Sequence, residues 1–240
     1  MRSAASLPEV VALQRFPVKS MGGQPLDEAA VTLSGLVGDR EWAVYDQHGK
    51  IASGKHTRRF RRMDPVFALT VRCDGAALHV RLPDGRELLA DDPSTGDALS
   101  DHFGEPVSLR READVPHQDA AALSIVGTAT LMDIGRHEGD GRPVDPRHLR
   151  GNILLATEIP YAEESWVGRE LTVGSSVVRV TGTTQRCRMV GVAQVGLTGR
   201  PGLLRTISHR HDLMAGVYAT VVRPGRVRVG DRVAEVAHLG

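Results

Sequence analysis

Two Asp-Gly turns set between alternating apolar segments constrain this chain more than any other feature. Val66 to Arg72, Ala76 to Leu82 and Arg86 to Leu89 are separated by Cys73-Asp74-Gly75 and Pro83-Asp84-Gly85. Glycine accepts the positive φ of tight hairpin turns, so this spacing predicts an antiparallel meander rather than helices. The pattern recurs along the chain. Val10 to Phe16 is a short apolar segment closed by Pro17, and Glu41 to Asp46 faces Lys50 to Ser53 across Gln47-His48-Gly49. Leu171 to Val173 and Val177 to Thr181 flank Gly174-Ser175-Ser176, and Gly216 to Arg223 with Val227 to Val233 predict a hairpin around Pro224-Gly225. With 26 glycines and 13 prolines among 240 residues, short strands are favoured over long helices. Helical segments are expected where Ser94 can cap a stretch carrying Ala98, Leu99 and Phe103 before Gly104, from Thr128 to Arg136 after Gly127, and as one turn at Ala162 to Trp166. Ile153 to Ala156 reads as a buried strand, Gly139 to Pro146 as loop, and Leu109 to Asp119, polar and broken by Pro116, as a connector.

The charge balance of 30 Lys+Arg against 29 Asp+Glu removes the bulk electrostatic case for a nucleic-acid or membrane-surface binder. No apolar run approaches the roughly 18 residues of a membrane span, and the start MRSAASLPEVVAL lacks the form of a secretory leader. The expectation is therefore a protein of the reducing cytoplasm. Cys73 and Cys187 are too few for a disulfide framework or a four-cysteine zinc site. The histidines, His209 and His211 included, have no metal-ligand spacing, and no Gly-x-Ser-x-Gly elbow supports a hydrolase.

Four segments hold candidate chemistry. Cys187 lies between Arg186 and Arg188, where positive potential favours a thiolate that serves as nucleophile, persulfide carrier or soft-metal ligand. The alternative is a small core side chain with both arginines in solvent. Arg147 and Arg150, followed by Asn152, present either a fork for phosphate or carboxylate or a solvated basic loop. Lys19-Ser20 pairs a cation with a hydroxyl but is too short for a phosphate loop of the Walker kind, while Gly35 to Arg40 is an anion contact or a β-turn with an Asp39-Arg40 pair. Finally, Lys50 to Arg62 holds Lys50, Lys55, Arg58, Arg59, Arg61, Arg62 and His56 without an acidic residue. That is a local field for an anionic substrate, cofactor or partner, or else a solvated face; with only Phe60 to stack, a nucleic-acid groove has little support. Ser124, Thr128 and Thr130 add hydroxyls.

Taken in order, these segments resemble one family. RFPVKSMGGQPL with GLVGDREWAVYDQHGK is similar to the N-terminal β-barrel domain of MOSC proteins, the molybdenum cofactor sulfurase C-terminal family. DPRHLRGNILL, YAEESWVGRELTVG and VVRVTGTTQRC resemble the MOSC domain itself, and GVYATVVRPGRVRVGDRV its closing hairpin. The resemblance implies a mainly β fold, a β-barrel MOSC domain over 113–240 preceded by a β-rich domain over 1–112, with a few short helices. It implies a molybdenum cofactor (Mo-molybdopterin), and an oxidoreductase acting on N-hydroxylated or N-oxide small molecules. A family-level association with pyridoxal phosphate binding comes with it. By matching position, Cys187 would be the catalytic thiolate on the metal. Lys19, Ser20 and Arg40 would bind pterin and phosphate; Arg150 and Asn152 would hold the pterin near the metal, with Arg186 adjacent to the ligand; and Thr128 or Thr130 would supply a hydroxyl. The sequence departs from the family pattern at Gly151, where proline is frequent, at Thr183-Thr184-Gln185, and in Met189 to Gln194, where an Asp-rich stretch is common. No Cys-rich ferredoxin module follows, so the resemblance implies a separate electron-transfer protein of ferredoxin or flavin-reductase type. The competing readings are a sulfur carrier with a Cys187 persulfide and a non-catalytic cofactor-binding module.

Overall fold

The computed structural model describes residues 7–139 and 141–236. Met1 to Ser6, part of the start read for a leader, and Asp140, within the expected loop, lie outside them. Strands predominate and the helices are few. In chain order the first half runs β1 (Val10–Arg15), β2 (Gln24–Leu26), β3 (Glu28–Thr32), β4 (Gly35–Leu36), β5 (Trp42–Asp46), β6 (Ile51–Ser53), β7 (Phe60–Arg62), β8 (Thr70–Asp74), β9 (Ala77–Arg81), β10 (Glu87–Leu89), α1 (Ser94–Phe103) and β11 (Val107–Arg111). The second half runs β12 (Leu123–Gly127), α2 (Thr128–Glu138), α3 (Pro146–Leu149), β13 (Ile153–Leu155), β14 (Glu170–Val173), β15 (Ser176–Gln185), α4 (Leu203–His211), β16 (Met214–Arg223), β17 (Gly225–Arg228) and β18 (Val233–Glu235).

An eight-stranded sheet, in the order β18-β14-β15-β16-β12-β13-β1-β2, curls into a half-barrel around Val10, Leu13, Ile125, Ile153, Val178 and Val217, all essentially inaccessible. β12, in the middle of the sheet, is buried at all five positions, whereas β14 near its edge alternates between buried and half-buried ones. β1 and β2 come from the first half of the chain yet complete this sheet, so the two halves share a core. A four-stranded sheet (β11-β5-β6-β7) and the β8-β9-β10 meander enclose a second core with Val44, Leu69, Val80 and Leu99. A third core under α2 and α4 holds Leu131, Ile134, Leu203 and Ile207.

The opening meander forms with a shifted start. Gly75 is left-handed (φ 58°) at the first position of the tight β8-β9 turn, and Gly85 (φ 89°) donates to the Leu82 carbonyl at 3.0 Å in the β9-β10 turn. The strand expected from Val66, however, begins at Thr70: Asp64–Ala68 is a 3-10 turn with proline in its first positions, burying Val66 and Phe67. Ser94 opens α1 but does not cap it; the Asp92 carboxylate instead accepts from the Ser94 amide (2.8 Å) and hydroxyl (2.6 Å). Gly104 ends the helix in the left-handed region as expected. Leu109 to Arg111 belong to β11, paired with β5, so the connector is shorter than it reads. Pro146, expected as loop, opens α3 behind the capping carboxylate of Asp145.

The closing hairpin does not form. β17 pairs with β3 in the register Gly225↔Val31 to Arg228↔Glu28, and β18 pairs with β14. A Cβ on Gly225 would lie 2.6–2.7 Å from the Ser175 and Ser176 backbone, so the chain crosses tightly there rather than folding back. Glu28 then takes both Arg226 and Arg228, an exposed cluster that fixes partner choice more than it adds stability.

Candidate functional site

Loops from both halves enclose a cavity of about 230 Å³. Its wall takes Lys19, Ser20 and Arg40 from the turns that flank β1 and β5. Ser53 and Lys55 come from the end of β6, Asp119 from the connector, Ser124 from β12, and His148, Arg150 and Asn152 from α3 and its exit. Thr184, Gln185, Arg186 and Cys187 come from the end of β15, and Tyr218 from β16. The expected strand-end position of Cys187 facing a cleft is therefore what forms, with the thiol half-buried.

The backbone is forced into place here. Ser20, Arg40 and Arg150 all have positive φ (71°, 56° and 51°), a conformation side chains with a Cβ adopt only when their surroundings compel it. Lys19 donates its amide to the Trp42 carbonyl (2.8 Å), and the Arg40 amide reaches Phe16 O (2.8 Å). The Phe16 ring lies between two guanidinium groups, with Arg150 at 4.2 Å and Arg40 at 5.2 Å from its centroid.

Five cations line the cavity (Lys19, Arg40, Lys55, Arg150, Arg186) against one carboxylate, Asp119, among the described residues. Burial pushes Arg150 down to about 9, with Arg40 adding repulsion, and Arg186 down to about 10. Burial likewise brings Lys19 to about 8, against the pull of Asp119. All three still carry charge at neutral pH. Arg150 Nη1 donates to Met21 O (2.8 Å) and Gln194 Oε1 (3.1 Å), and Arg186 donates to Ala215 O (2.7 Å) and Leu149 O (2.6 Å). Nη2 of each is buried without a partner, as are Ser124 Oγ, Thr184 Oγ1 and His148 Nδ1 in the same wall. These five atoms lie beneath the cavity surface, so what suits the cavity to a polar, anionic guest is the convergence of five cations on a single carboxylate. A pterin phosphate with a soft metal fits this donor set, with Cys187 as the thiolate.

Not every expected residue has the expected role. Thr128 is not brought to the cavity: its hydroxyl donates to Thr157 O (3.2 Å) and accepts from Thr157 N (3.0 Å), tying the start of α2 to a neighbouring loop. Thr130 is consumed likewise by Glu163 and by the Tyr161 amide. Asn152 reaches the wall but spends its amide on Ser124 N and Gln14 O, both 3.2 Å, so it is a positioning residue. The Arg147-Arg150 fork does not form, because Arg147 turns back bidentate on Asp145. Arg188 pairs with Asp64 outside the cavity, leaving Arg186 as the one arginine beside Cys187 in the wall. The basic run from Lys50 is largely neutralised: Arg61 meets Asp46 and Glu105, and Arg62 meets Asp64. From that run only Ser53 and Lys55 line the cavity.

Asp119, His148, Thr184, Gln185 and Tyr218 were not foreseen as site residues, since each stands among residues that read as connector, loop or strand. Behind Arg40, the buried His117 donates from Nδ1 to Arg40 O (2.9 Å), so its Nε2 accepts from the Tyr45 hydroxyl (2.8 Å). Burial keeps this imidazole neutral by lowering its pKa.

Gly216 is the close approach on which Arg186 depends. Its φ is 77°, and a Cβ would lie 2.6 Å from Ile125 O and 3.0 Å from Arg186 Nη2. Gly216→Ala is expected to cost about 2 kcal/mol or more in a urea titration and to weaken anion binding by displacing Arg186.

The chain that carries this cavity belongs to the MOSC family: residues 101–234 match the MOSC domain and residues 7–118 the MOSC N-terminal beta barrel domain. It is similar to the molybdenum cofactor sulfurase of Danio rerio, 25% identical over 244 residues, covering 80% of this chain but 29% of the sulfurase. It is also similar to mitochondrial amidoxime-reducing component 1 of Homo sapiens, 24% identical over 285 residues, covering 93% of this chain and 82% of that protein. The chain thus spans less than a third of the sulfurase it matches. Among solved structures, the YUAD protein from Bacillus subtilis shares the fold, with a TM-score of 0.54, 17% identity and coverage of 94% and 93% of the two chains.

Proposed function

We propose that this chain holds a molybdenum cofactor in the cationic cavity, with Cys187 on the metal, and reduces N-hydroxylated or N-oxide small molecules with electrons from a separate protein in the cytoplasm. The observation that carries the reading is the half-buried Cys187 thiol in the wall of one cavity with five cations. The bound group would supply two-electron oxygen-atom chemistry at a metal held by dithiolene sulfurs; the chain supplies binding, orientation and field. Lys19, Arg40 and Arg150 bind the phosphate and pterin, and Arg186 holds positive potential beside the thiolate. Ser20 spends its hydroxyl hydrogen on Ala52 O (3.2 Å) and offers its lone pairs. Leu123, Leu149 and Val190 form apolar wall that limits water.

The test is the metal and pterin content of protein purified from a cofactor-competent host, followed by turnover of an amidoxime by the chemically reduced protein. Near-stoichiometric molybdenum with turnover supports the reading. Metal-free protein bearing a cyanide-releasable sulfur on Cys187 overturns it in favour of a sulfur carrier, and retained cofactor without turnover reduces it to a binding module.

The anion seat also has a pH signature. Lys19 loses its proton as pH rises through about 8, so its charge is present below that value and gone above it. Affinity for inorganic phosphate, measured by calorimetry from pH 7.5 to 9.5, is expected to fall by up to about tenfold per unit above that point. The Lys19→Met variant is expected to bind weakly and to lose this part of the slope.

A further inference from the structure

Asp119 bridges two of the five cations in the cavity wall. One of its carboxylate oxygens accepts from Lys19 Nζ at 2.9 Å and the other from Lys55 Nζ at 2.5 Å. Each oxygen thus takes one ammonium, as two oxygens of a phosphate would. The two ammonium groups also share a contact that does not involve Asp119. Both lie 4.8 Å from the centroid of the Phe60 ring, which also carries the Arg59 guanidinium at 4.4 Å. Lys19 is buried and fixed through its amide to Trp42, so the seat is built into the first half of the chain.

Asp119, in contrast, belongs to a segment without regular structure. His117 is anchored at one end by Tyr45, Arg40 and Glu112, and β12 begins at Leu123. Between them run Gln118, Asp119 and three alanines, and Asp119 and Ala120 are exposed. Apart from the lysines, Asp119 is tied through its carbonyl to Arg59 Nη2 at 3.2 Å, at the rim, and Gln118 reaches Ser34 O at 2.7 Å. A well-made cationic seat is therefore filled by a carboxylate on a lightly held loop.

We propose that Asp119 is an intramolecular competitor for the seat formed by Lys19 and Lys55, so that a phosphate ester enters by displacing this carboxylate and releasing residues 118–122 from the cavity rim. The exchange conserves the pairing: two ammonium–carboxylate contacts are given up and two ammonium–phosphate contacts are made. Its consequence is that Lys19 and Lys55 keep a counter-ion until a stronger anion arrives, and the loop is released only then. The lysines hold the Asp119 carboxyl well below the usual carboxylate range, so the competitor is ionised throughout the pH range in which the protein would work. Lys55 becomes a member of the anion site in its own right, beside Lys19.

The inference rests on the phosphate part of the proposed function, not on its metal or its redox chemistry. It is tested on the metal-free chain with inorganic phosphate as the probe, read by calorimetry and by amide hydrogen exchange over residues 118–122. If the internal carboxylate holds the seat nine-tenths of the time, Asp119→Asn is expected to bind phosphate about tenfold more tightly. Loss of one negative charge could tighten binding without any displacement, so exchange decides. In the wild-type chain, saturating phosphate is expected to raise exchange over 118–122. In Asp119→Asn, exchange is expected to be raised before ligand is added and to change little afterwards. Lys55→Gln is expected to weaken phosphate binding and to loosen the loop without ligand. Unchanged or slowed loop exchange in the wild type on phosphate binding overturns the proposal, as does Asp119→Asn binding no more tightly than wild type. A chain that behaves as expected here yet never retains molybdenum overturns the redox reading and leaves this one standing.

Discussion

Cys187→Ser is expected to remove molybdenum from the purified protein while leaving the fold in place. The thiol is half-buried in the cavity wall, and the local structure is held by the backbone: Cys187 O accepts from the Val190 amide at 3.2 Å, and Arg186 N donates to Leu213 O at 2.8 Å. Serine fits that backbone and is smaller, so the thermal midpoint should move little. A neutral hydroxyl, however, is a poor ligand for a soft, thiolate-preferring metal. Losing a supporting contact at a metal site costs 10–100-fold, and losing the ligand itself should cost roughly 100-fold or more in turnover, with molybdenum near background. Cys73→Ser is the matched control. Cys73 lies in β8, away from the cavity, with its thiol pushed up by burial, so this variant should keep both metal and turnover. Equal metal loss in the two variants, or full retention in Cys187→Ser, would sink the assignment of Cys187 as ligand.

The contrast between the two cysteines shows what was readable from sequence. Cys187 stands out in linear sequence because its neighbours are charged, and the site does form around it. Lys19, Ser20, Arg40, Arg150 and Arg186 also reach the cavity, and four of these five sit beside turns or at a strand end. Such positions are set by local backbone signals, which sequence carries well. Thr128 fails for a different reason. Its hydroxyl looks free in sequence, but a helix start needs acceptors and donors, and Thr157 arrives from 29 residues away to pair with it. Asp119 fails in the opposite direction. It reads as connector because its segment lacks periodicity, and its partners Lys19 and Lys55 are 100 and 64 residues distant. The same limit decides β17: Pro224-Gly225 signals a turn, but the strand that pairs with it is β3, nearly 200 residues away. Local turns were legible, and pairings across the chain were not.

The distant contact with the largest stability consequence is made by Glu163. This carboxylate is fully buried. It accepts from the Gly127 amide at 3.0 Å and from the Thr130 hydroxyl at 2.9 Å, so it closes the N-terminal end of α2 from a 3-10 turn more than thirty residues on. Gly127 is what permits the approach, since a Cβ there would lie 2.6 Å from Glu163 Oε2. Glu163→Ala is expected to cost about 3–4 kcal/mol, because a buried amide and a buried hydroxyl would lose their acceptor and a void would open under the helix. The pH dependence follows from the sign of its shift. Burial raises the Glu163 pKa above its usual value, outweighing the hydrogen bonds that lower it. The folded chain therefore binds this proton more tightly than the unfolded one. Between the ordinary glutamate value and the raised one, the contribution of Glu163 to stability must fall as pH rises, opposite in sign to that of the buried His117 and His148, whose lowered values cost stability on acidification, and to that of the depressed carboxyls of Asp46 and Asp64 at lower pH. Glu163→Gln keeps an acceptor for Gly127 but cannot ionise, so the difference between its urea midpoint and that of the wild type should change on acidification from neutrality in favour of the wild type. Identical pH profiles for the wild type and Glu163→Gln would show that this carboxylate is not titrating as its burial requires. The same variant reports on the site, because Glu163 is among the groups whose negative charge supports the buried Arg186 guanidinium. Neutralising it should leave Arg186 less well compensated, and phosphate should then bind more tightly at neutral pH as it takes over that compensation.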